Sequence, residues 1–230
     1  MRQKKVAIVQ SNYAPWLGYF ILIASVDEFI LYDDAQFTKR DWRNRNKIKT
    51  PNGPQWLTVP VATKGKYTQA INETQILDGN WQTQHWKTLC ANYKKAHFAE
   101  EIFDLLYDTY NTLTWSSLSE LNRHIIMIIL NYLGVSTRVT TSSDYSFSGN
   151  PSQKLASIAE QAFATHYVSG PTAKTYLDQK LFDDIKIRVE WFNYPQETNY
   201  RQLWGEFIPR LSIIDLLMNI GKETKTFITI

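Results

Sequence analysis

The stretch that decides the fold is KVAIVQSNYAPWLGYF (residues 5–20) followed by DEFILYDDAQFTKRDWRNRNKIKTPNGPQWLTVP (residues 27–60). Two apolar runs in it, Val6–Val9 and Phe29–Tyr32, each end in a group of polar residues. Short apolar runs of this kind are typical of buried strands in an open α/β sheet. In such sheets ligands bind beyond the carboxyl ends of the strands. The sequence therefore predicts a binding site where these two runs end.

The rest of the chain adds further strands and helices in alternation. Strands are predicted over residues 5–11, 28–32, 55–61, 70–77, 137–142, 166–169 and 187–192, and helices over residues 16–25, 81–95, 99–113, 118–133 and 213–219, with one more beginning at Asn150. Ser117 and Glu120 form a capping-box pattern before the longest helix, and Gly134 ends it. We predict one α/β domain over residues 1–230, with an open, mostly parallel sheet, flanking helices and a mid-chain helical block at about 80–135.

Composition limits the function classes. A chain of 230 residues can bury a sizeable core. Its net charge is only +3, so its basic residues are a local feature, which argues against a general nucleic-acid binder. The single cysteine, Cys90, cannot form an intrachain disulfide, in keeping with a reducing compartment. The apolar run near residue 6 is too short for a signal peptide, and no apolar stretch reaches about 18 residues, so we expect a cytoplasmic protein without a membrane span.

The first candidate site lies at the ends of the first two predicted strands. Neighbouring parallel strands lie about 5 Å apart, so their polar ends should share one pocket. A carboxylate there could act as a base or hold a divalent ion; the alternative is that the two aspartates only end a strand and cap a turn. We predict Gln10, Asp33 and Asp34 as catalytic residues and Asn12, Tyr13 and Gln36 as substrate-binding residues.

The second candidate is a basic segment, residues 39–49, which has six cations and a single acid. Arginines bind phosphate through paired hydrogen bonds, and an aromatic ring among them can stack on a base or a sugar. The alternative is an ordinary solvated loop, and RNA stays open as a ligand. The residues predicted to bind substrate here are Lys39, Arg40, Trp42, Arg43, Arg45 and Lys47.

Two weaker candidates lie in the second half of the chain. Ser169 and Gly170 follow a predicted strand, where a hydroxyl can bind a ligand and a glycine lets the backbone approach it. Ser212 and Asp215 resemble a capping box, and the helix N-terminus that they begin could also bind an anion. The further substrate-binding candidates are thus Ser169, Gly170, Tyr200, Gln202, Ser212 and Asp215. The four histidines have no metal-ligand spacing, so no metal site is predicted, and the cofactor is left unassigned.

With these residues in view, the chain resembles the WbqC-like family. The resemblance rests on VQSNYAPWLGYF, YDDAQFTKRDWRNRNKIKTPNGPQWLTVPV, SSDY, YVSGPTAKTYL and YRQLWGEFIPRLSIIDLLMNIG, which span nearly the whole chain in order. The chain departs from the family pattern in two respects. Val9 stands where the family often has histidine, and Ala14 and the missing first proline loosen a loop that tends towards Gln-Pro-x-Tyr-x-Pro. If that histidine has a chemical role in relatives, this chain lacks it.

The resemblance implies a bacterial protein associated with surface-polysaccharide synthesis, notably O-antigen synthesis. From it we expect a transferase that modifies a nucleotide-linked amino sugar by acyl or aminoacyl transfer. The expected partners are a phosphorylated small molecule such as a nucleotide sugar, with an acyl or aminoacyl donor or a carrier protein. The alternatives are a non-catalytic module that binds phosphate, a carrier protein or RNA, and a nucleotidylyltransferase-like enzyme.

Overall fold

The computed structural model describes residues 3–195 and 199–228. Its strands are β1 (Lys5–Val9), β2 (Glu28–Leu31), β3 (Arg45–Thr50), β4 (Gly53–Thr58), β5 (Arg138–Thr141), β6 (His166–Ser169) and β7 (Arg188–Trp191). Five of them form one sheet in the order β5-β2-β1-β6-β7, and every pairing in it is parallel. The predicted open parallel α/β sheet, with strands from both ends of the chain, is confirmed.

The strand order fixes where a ligand can bind. From the central strand β1 the chain moves outward to β2 and β5, and it then crosses back to the other side to form β6 and β7. The order therefore reverses between β1 and β6. In open α/β sheets such a reversal leaves a crevice outside the carboxyl ends of the two strands, because their following connections diverge to opposite sides.

Most helices lie where the sequence pattern predicts them, but the short helix Lys180–Asp184 is not among the predicted ones, and the helix predicted over residues 99–113 is α-helical only to Tyr107. The helices are α1 (Leu17–Ala24), α2 (Trp81–Tyr93), α3 (Ala99–Tyr107), α4 (Leu118–Leu133), α5 (Pro151–Gln161), α6 (Lys180–Asp184) and α7 (Ile213–Ile220), with a π-helical turn, Asp108–Thr112, after α3. The Ser117 hydroxyl accepts a hydrogen bond from the Glu120 amide at the start of α4, and Gly134 ends that helix at φ 62°. The helical block in mid-chain, α2 to α4, is also confirmed.

Alternate side chains of the sheet enter two separate cores. Ala7 and Phe29 belong to the larger core, which also contains the buried faces of α1, α4 and α7. Val6, Ile8 and Ile30 belong to the smaller core, with α5 and α6. Because both faces of the sheet are covered, a ligand can reach the strands only at their ends.

The strand predicted over residues 70–77 is wrong. Its described backbone makes three isolated bridges and no ladder: Ala70 with Gln36, Gln75 with Ser117, and Ile76 with Val61. Between them the chain turns back on itself, since the Thr74 amide donates to the Ile71 carbonyl 3.1 Å away. Apolar residues at alternate positions gave a strand-like pattern, but these turns prevent a continuous ladder.

The basic segment is not a loop throughout. Its second half is β3, which pairs antiparallel with β4 around a turn that ends at Gly53. Gly53 has φ 98°, a left-handed conformation that suits glycine in a tight turn. The alternation predicted for the second strand of this hairpin is confirmed, with Leu57 and Val59 buried and Trp56 and Thr58 exposed.

Candidate functional site

A cleft of about 1250 Å³ opens at the carboxyl ends of β1, β2 and β6, where the strand order reverses. This volume exceeds that of a typical drug-sized pocket, so the cleft has room for a ligand of several parts. Its polar lining includes Gln10, Asp34, Gln36, Arg43, Asn150, Ser152, Lys154, Ser169 and Asp178, and its aromatic lining is Tyr32, Trp42, Tyr167, Tyr176 and Tyr194.

Asp34 presents a fixed carboxylate to the cleft. Its Oδ1 accepts a hydrogen bond from Asn72 Nδ2 at 3.1 Å, and its Oδ2 accepts one from the Ser142 hydroxyl. Asp34 follows β2 and Ser142 follows the neighbouring strand β5, so this hydrogen bond links the ends of two adjacent strands. Two such hydrogen bonds orient the group towards a ligand without covering it.

Asp33, in contrast, lies outside the cleft lining and is buried. Its Oδ1 accepts the Ser11 amide at 2.8 Å, and its Oδ2 accepts the Ser119 hydroxyl. The side chain therefore ties the end of β1 to α4, a structural role. Adjacent residues of an extended chain point to opposite sides, so of the two aspartates only Asp34 faces the cleft.

The polar residues after β1 divide in the same way. Gln10 lines the cleft, whereas Tyr13 is buried and its hydroxyl contacts His85 Nδ1 at 2.9 Å and the Tyr110 hydroxyl at 2.6 Å. We call these last three residues the His85 centre. Burial lowers the pKa of His85 to about 4, so this imidazole is neutral at physiological pH. Tyr13 is thus placed away from the predicted substrate.

Arg43 is the member of the basic segment that projects into the cleft. Its Nη1 donates to Asn12 Oδ1 and to the Ser11 carbonyl, and its Nη2 lies 3.6 Å from Asp41 Oδ2. In the described part of the chain its Nε has no hydrogen-bond partner. Burial lowers the pKa of Arg43, but a guanidinium stays charged at neutral pH. The guanidinium thus adds a positive charge to the cleft lining, and Asn12 acts as its support.

The other predicted cations lie outside the cleft lining. The Arg45 guanidinium is 4.1 Å and the Lys47 ammonium 4.8 Å from the centre of the Trp56 ring; we call these three residues the outer hairpin face. Arg45 also donates to the Arg40 carbonyl, and Lys39 lies over the ring of Tyr67. Arg45 and Lys47 are two residues apart in β3 and therefore lie on the same side of the hairpin, whereas Arg43 precedes the strand.

Among the C-terminal candidates, Asp215 is sealed in a hydrogen-bonded centre outside the cleft. Asp215 is fully buried and accepts hydrogen bonds of 2.6 Å from the hydroxyls of Tyr93 and Tyr200; these three residues are the Asp215 centre. Burial raises the pKa of Asp215, while the two hydroxyls and Lys49 act in the opposite direction. Gln202 donates to the Tyr200 hydroxyl at 2.9 Å. None of them is part of the described cleft lining.

Ser212 caps α7, as predicted, but Asp215 does not complete a capping box. The Ser212 hydroxyl accepts the Ile214 amide at 3.3 Å and donates to the Ala14 carbonyl at 2.8 Å. The carboxylate of Asp215 is instead committed to the two phenols. Ser212 and Ile213 line a different, apolar cavity, so the N-terminus of α7 does not face the cleft.

In the described lining the carboxylates are the side chains suited to act as a general base. The described wall contains no histidine or cysteine. Burial raises the pKa of Tyr32, Tyr167 and Tyr194, so these phenols stay protonated and act as hydrogen-bond donors. Asp178 is exposed and its Oδ1 accepts the Lys180 amide at 3.1 Å, so Asp34 is the better placed base.

Sequence reasoning missed the contribution of α5. Its N-cap Asn150, with Ser152 and Lys154 in its first turn, lines the cleft opposite the basic segment. The signal was present, because a helix that follows a parallel strand begins at the carboxyl edge of the sheet. The predicted helix start at Asn150 therefore implied a site position. Ser169 and Gly170 do line the cleft.

Comparison with known proteins assigns the chain to a family. A sequence model of the WbqC-like protein family matches residues 10–227. The chain belongs to the WbqC-like family. It is also 53% identical over 226 residues to the "Uncharacterized protein Rv1507c" of Mycobacterium tuberculosis (strain ATCC 25618 / H37Rv), covering 98% of this chain and 97% of that protein. No solved structure matches.

Across residues 3–195 and 199–228 no helix combines the length and the apolar character needed to cross a membrane. Nor do those residues include a cluster of three or more histidine, cysteine or acidic side chains placed to bind a metal ion.

Proposed function

We propose that this WbqC-like protein is a transferase that moves an acyl or aminoacyl group onto the amine of a phosphate-linked amino sugar, such as a nucleotide sugar. The observation that carries the proposal is the composition of one cleft. A fixed carboxylate, three side-chain amides, several aromatic rings and two cations line the same cavity. The surface-polysaccharide context that the family resemblance implies forms part of this proposal.

Each part of such an acceptor has a matching side chain. The half-exposed ring of Trp42 offers a surface on which the apolar face of a sugar can pack. The amides of Gln10 and Gln36 can donate to and accept from sugar hydroxyls. Arg43 and Lys154 supply positive charge for a phosphate. The four charged groups of the described lining, two acids and two bases, balance in charge, which suits a ligand that carries both an ammonium and a phosphate.

The reaction requires removal of a proton from the acceptor. An ammonium does not attack a carbonyl, so the sugar nitrogen must lose a proton before or during bond formation. Asp34, held by Asn72 and Ser142, is assigned that base role. The nitrogen then forms a bond to the acyl carbon of the donor, and the bond from that carbon to the donor's leaving atom breaks. The proton on Asp34 can pass to the leaving group, which restores the carboxylate.

The test is a transfer assay with Asp34→Asn. Wild-type protein and variant are incubated with UDP-linked amino sugars and acyl or aminoacyl thioesters, and product is measured by mass spectrometry. Because general-base catalysis contributes about 10²–10⁴-fold, we expect at least about a 100-fold lower kcat/KM with a melting temperature within a few degrees of wild type. The control Asp184→Asn changes an exposed acid of α6 outside the cleft. Full activity in Asp34→Asn would remove Asp34 from the mechanism.

A further inference from the structure

A surface of cations and aromatic rings borders one side of the cleft. Its chain segment, residues 39–67, contains eight lysines and arginines and one acid, although the whole chain has a net charge of only +3. The rest of the chain is therefore net acidic, and the positive charge is concentrated in this segment. The side chains that form the surface, which we call the cleft rim, are the outer hairpin face together with Lys39, Arg40, Trp42 and Tyr67.

The β3–β4 hairpin places its charges on one face. Lys47 pairs with Trp56 and Arg45 pairs with Thr58 across the two strands. Residues that face each other in this way lie on the same side of the hairpin. The opposite side carries Leu57, which is buried in the larger core. The side with the two cations therefore stays at the surface of the protein.

Direct contacts connect the rim to the cleft at two points. The centres of the Trp42 and Trp56 rings are 5.4 Å apart, and Trp42 also lines the cleft. Farther along the rim, the Lys39 ammonium lies 5.3 Å from the centre of the Tyr67 ring. Gln36, which lines the cleft, donates to the Tyr67 carbonyl at 2.8 Å. The rim therefore forms part of the mouth of the cleft.

The protein does not neutralise the charge of the rim. Among residues 3–195 and 199–228, the side chains of Lys39, Arg45 and Lys47 form no ion pair. The one acid of the segment, Asp41, lies 3.6 Å from Arg43, the cation that enters the cleft. The rim thus presents net positive charge to a partner with a negative surface.

The aromatic rings of the rim are exposed beside these cations. The exposed fraction is 41% for Trp42, 38% for Trp56 and 76% for Tyr67. Tryptophan and tyrosine suit a membrane–water interface, because the ring can contact apolar groups while its N–H or O–H stays hydrated. Lysines and arginines next to a membrane are attracted by anionic lipids. The rim combines both features.

Two contacts distinguish the rim from a surface for nucleic acid or for an acidic protein. The Trp56 ring is already in contact with Arg45, Lys47 and Trp42, whereas stacking of a base needs a free ring face. Arg45 donates to the Arg40 carbonyl, and its Nε is buried. Its guanidinium is therefore poorly placed to bind a single carboxylate through paired hydrogen bonds.

We propose that the cleft rim binds the anionic surface of a lipid bilayer and holds the mouth of the cleft at the headgroups. The four cations of the rim attract the lipid phosphates, and its three aromatic rings enter the headgroup layer. The contact is peripheral, since it is made by side chains of a hairpin and a loop. It goes beyond the proposed transfer and does not depend on which reaction takes place in the cleft.

Co-sedimentation with vesicles tests the proposal without relying on turnover. The full chain is mixed with vesicles of equal parts phosphatidylglycerol and phosphatidylcholine, or of phosphatidylcholine alone. We expect wild type to bind the anionic vesicles at least about 50-fold more strongly, and the double variant Arg45→Gln, Lys47→Gln to lose about 10- to 30-fold of that binding. The matched control Lys186→Gln, Arg188→Gln removes the same charge at exposed positions outside the rim and should stay within about twofold of wild type.

A gain of binding separates the proposal from simple loss of structure. Thr58→Lys adds a cation beside Arg45 on the exposed side of the hairpin and should strengthen binding to the anionic vesicles about three- to fivefold, which a misfolded protein would not show.

Three results would overturn the proposal. The first is equal or undetectable binding of wild type to the two kinds of vesicle, or an equal loss in the two double variants. The second is tighter binding of single-stranded poly(U) RNA than of anionic vesicles, which would make the rim a nucleic-acid surface. The third is a dimer, detected by light scattering, that Arg45→Gln, Lys47→Gln dissociates, which would make the rim an interface between two copies of the chain.

Discussion

The cleft and the two sealed centres each hold polar side chains in defined hydrogen bonds, but they differ in access. Asp34 and Asp215 each accept two hydrogen bonds. Asp34 faces a large cavity, whereas Asp215 is fully buried behind two phenols. His85 is likewise enclosed, beside Tyr13 and Tyr110. An acidic or basic residue with good partners is therefore a candidate for catalysis only where a ligand can reach it.

Because of this difference in access, substitutions in the two kinds of site should have different effects: those in the sealed centres on stability, and those in the cleft on turnover. Removing a buried hydrogen-bond partner leaves its neighbours unsatisfied, which lowers the free energy of unfolding. Removing a group that faces the cleft leaves few protein contacts unsatisfied and instead affects the ligand. Changes in the sealed centres should thus lower stability without changing specific activity at temperatures where the variants stay folded.

The largest effect on stability is expected for Asp215→Ala. The substitution leaves the hydroxyls of Tyr93 and Tyr200 without their acceptor in a buried site, at about 1–3 kcal/mol for each orphaned group. We expect unfolding free energy, measured by urea denaturation, to fall by about 3–4 kcal/mol. The matched control Asp104→Ala, at an exposed position of α3, should stay within about 0.5 kcal/mol of wild type. A loss below about 1 kcal/mol in Asp215→Ala would mean that this centre is not sealed.

The His85 centre predicts a dependence of stability on pH. Burial lowers the pKa of His85 to about 4 in the folded protein, against about 6.5 in the unfolded chain. Between these values the unfolded chain binds a proton and the folded protein does not. Keeping His85 neutral therefore costs the folded protein nothing above pH 6.5. As the pH falls from 6.5 towards 4, the free energy of unfolding falls by about 2–3 kcal/mol, because only the unfolded chain gains this proton.

His85→Gln should remove this part of the pH dependence. Unfolding free energies of wild type and variant are compared at pH 7 and pH 4, so that the changes from all other groups cancel. The exposed His97→Gln serves as control. If wild type and His85→Gln lose the same stability over this range, the imidazole is not enclosed as described.

The comparison also shows what sequence could and could not predict. The shared position of Gln10 and Asp34 followed from two apolar runs that must pair in parallel, and it is confirmed by the register of β1 and β2. The roles of Arg43 and Arg45 could not be separated, because the direction of each side chain depends on where a loop gives way to the β3–β4 hairpin. Asp215 looked like a helix cap, and its phenolic partner Tyr93 lies 122 positions away in the chain.

The most direct measurement compares a cleft cation with the outer hairpin face. Binding of a UDP-linked amino sugar is measured by calorimetry at about 0.15 M salt, which weakens long-range attraction between exposed charges. We expect Arg43→Ala to weaken binding at least about tenfold and the double variant Arg45→Ala, Lys47→Ala to change it less than about twofold. If the double variant loses binding and Arg43→Ala does not, the acceptor binds on the outer hairpin face and the cleft is not the site.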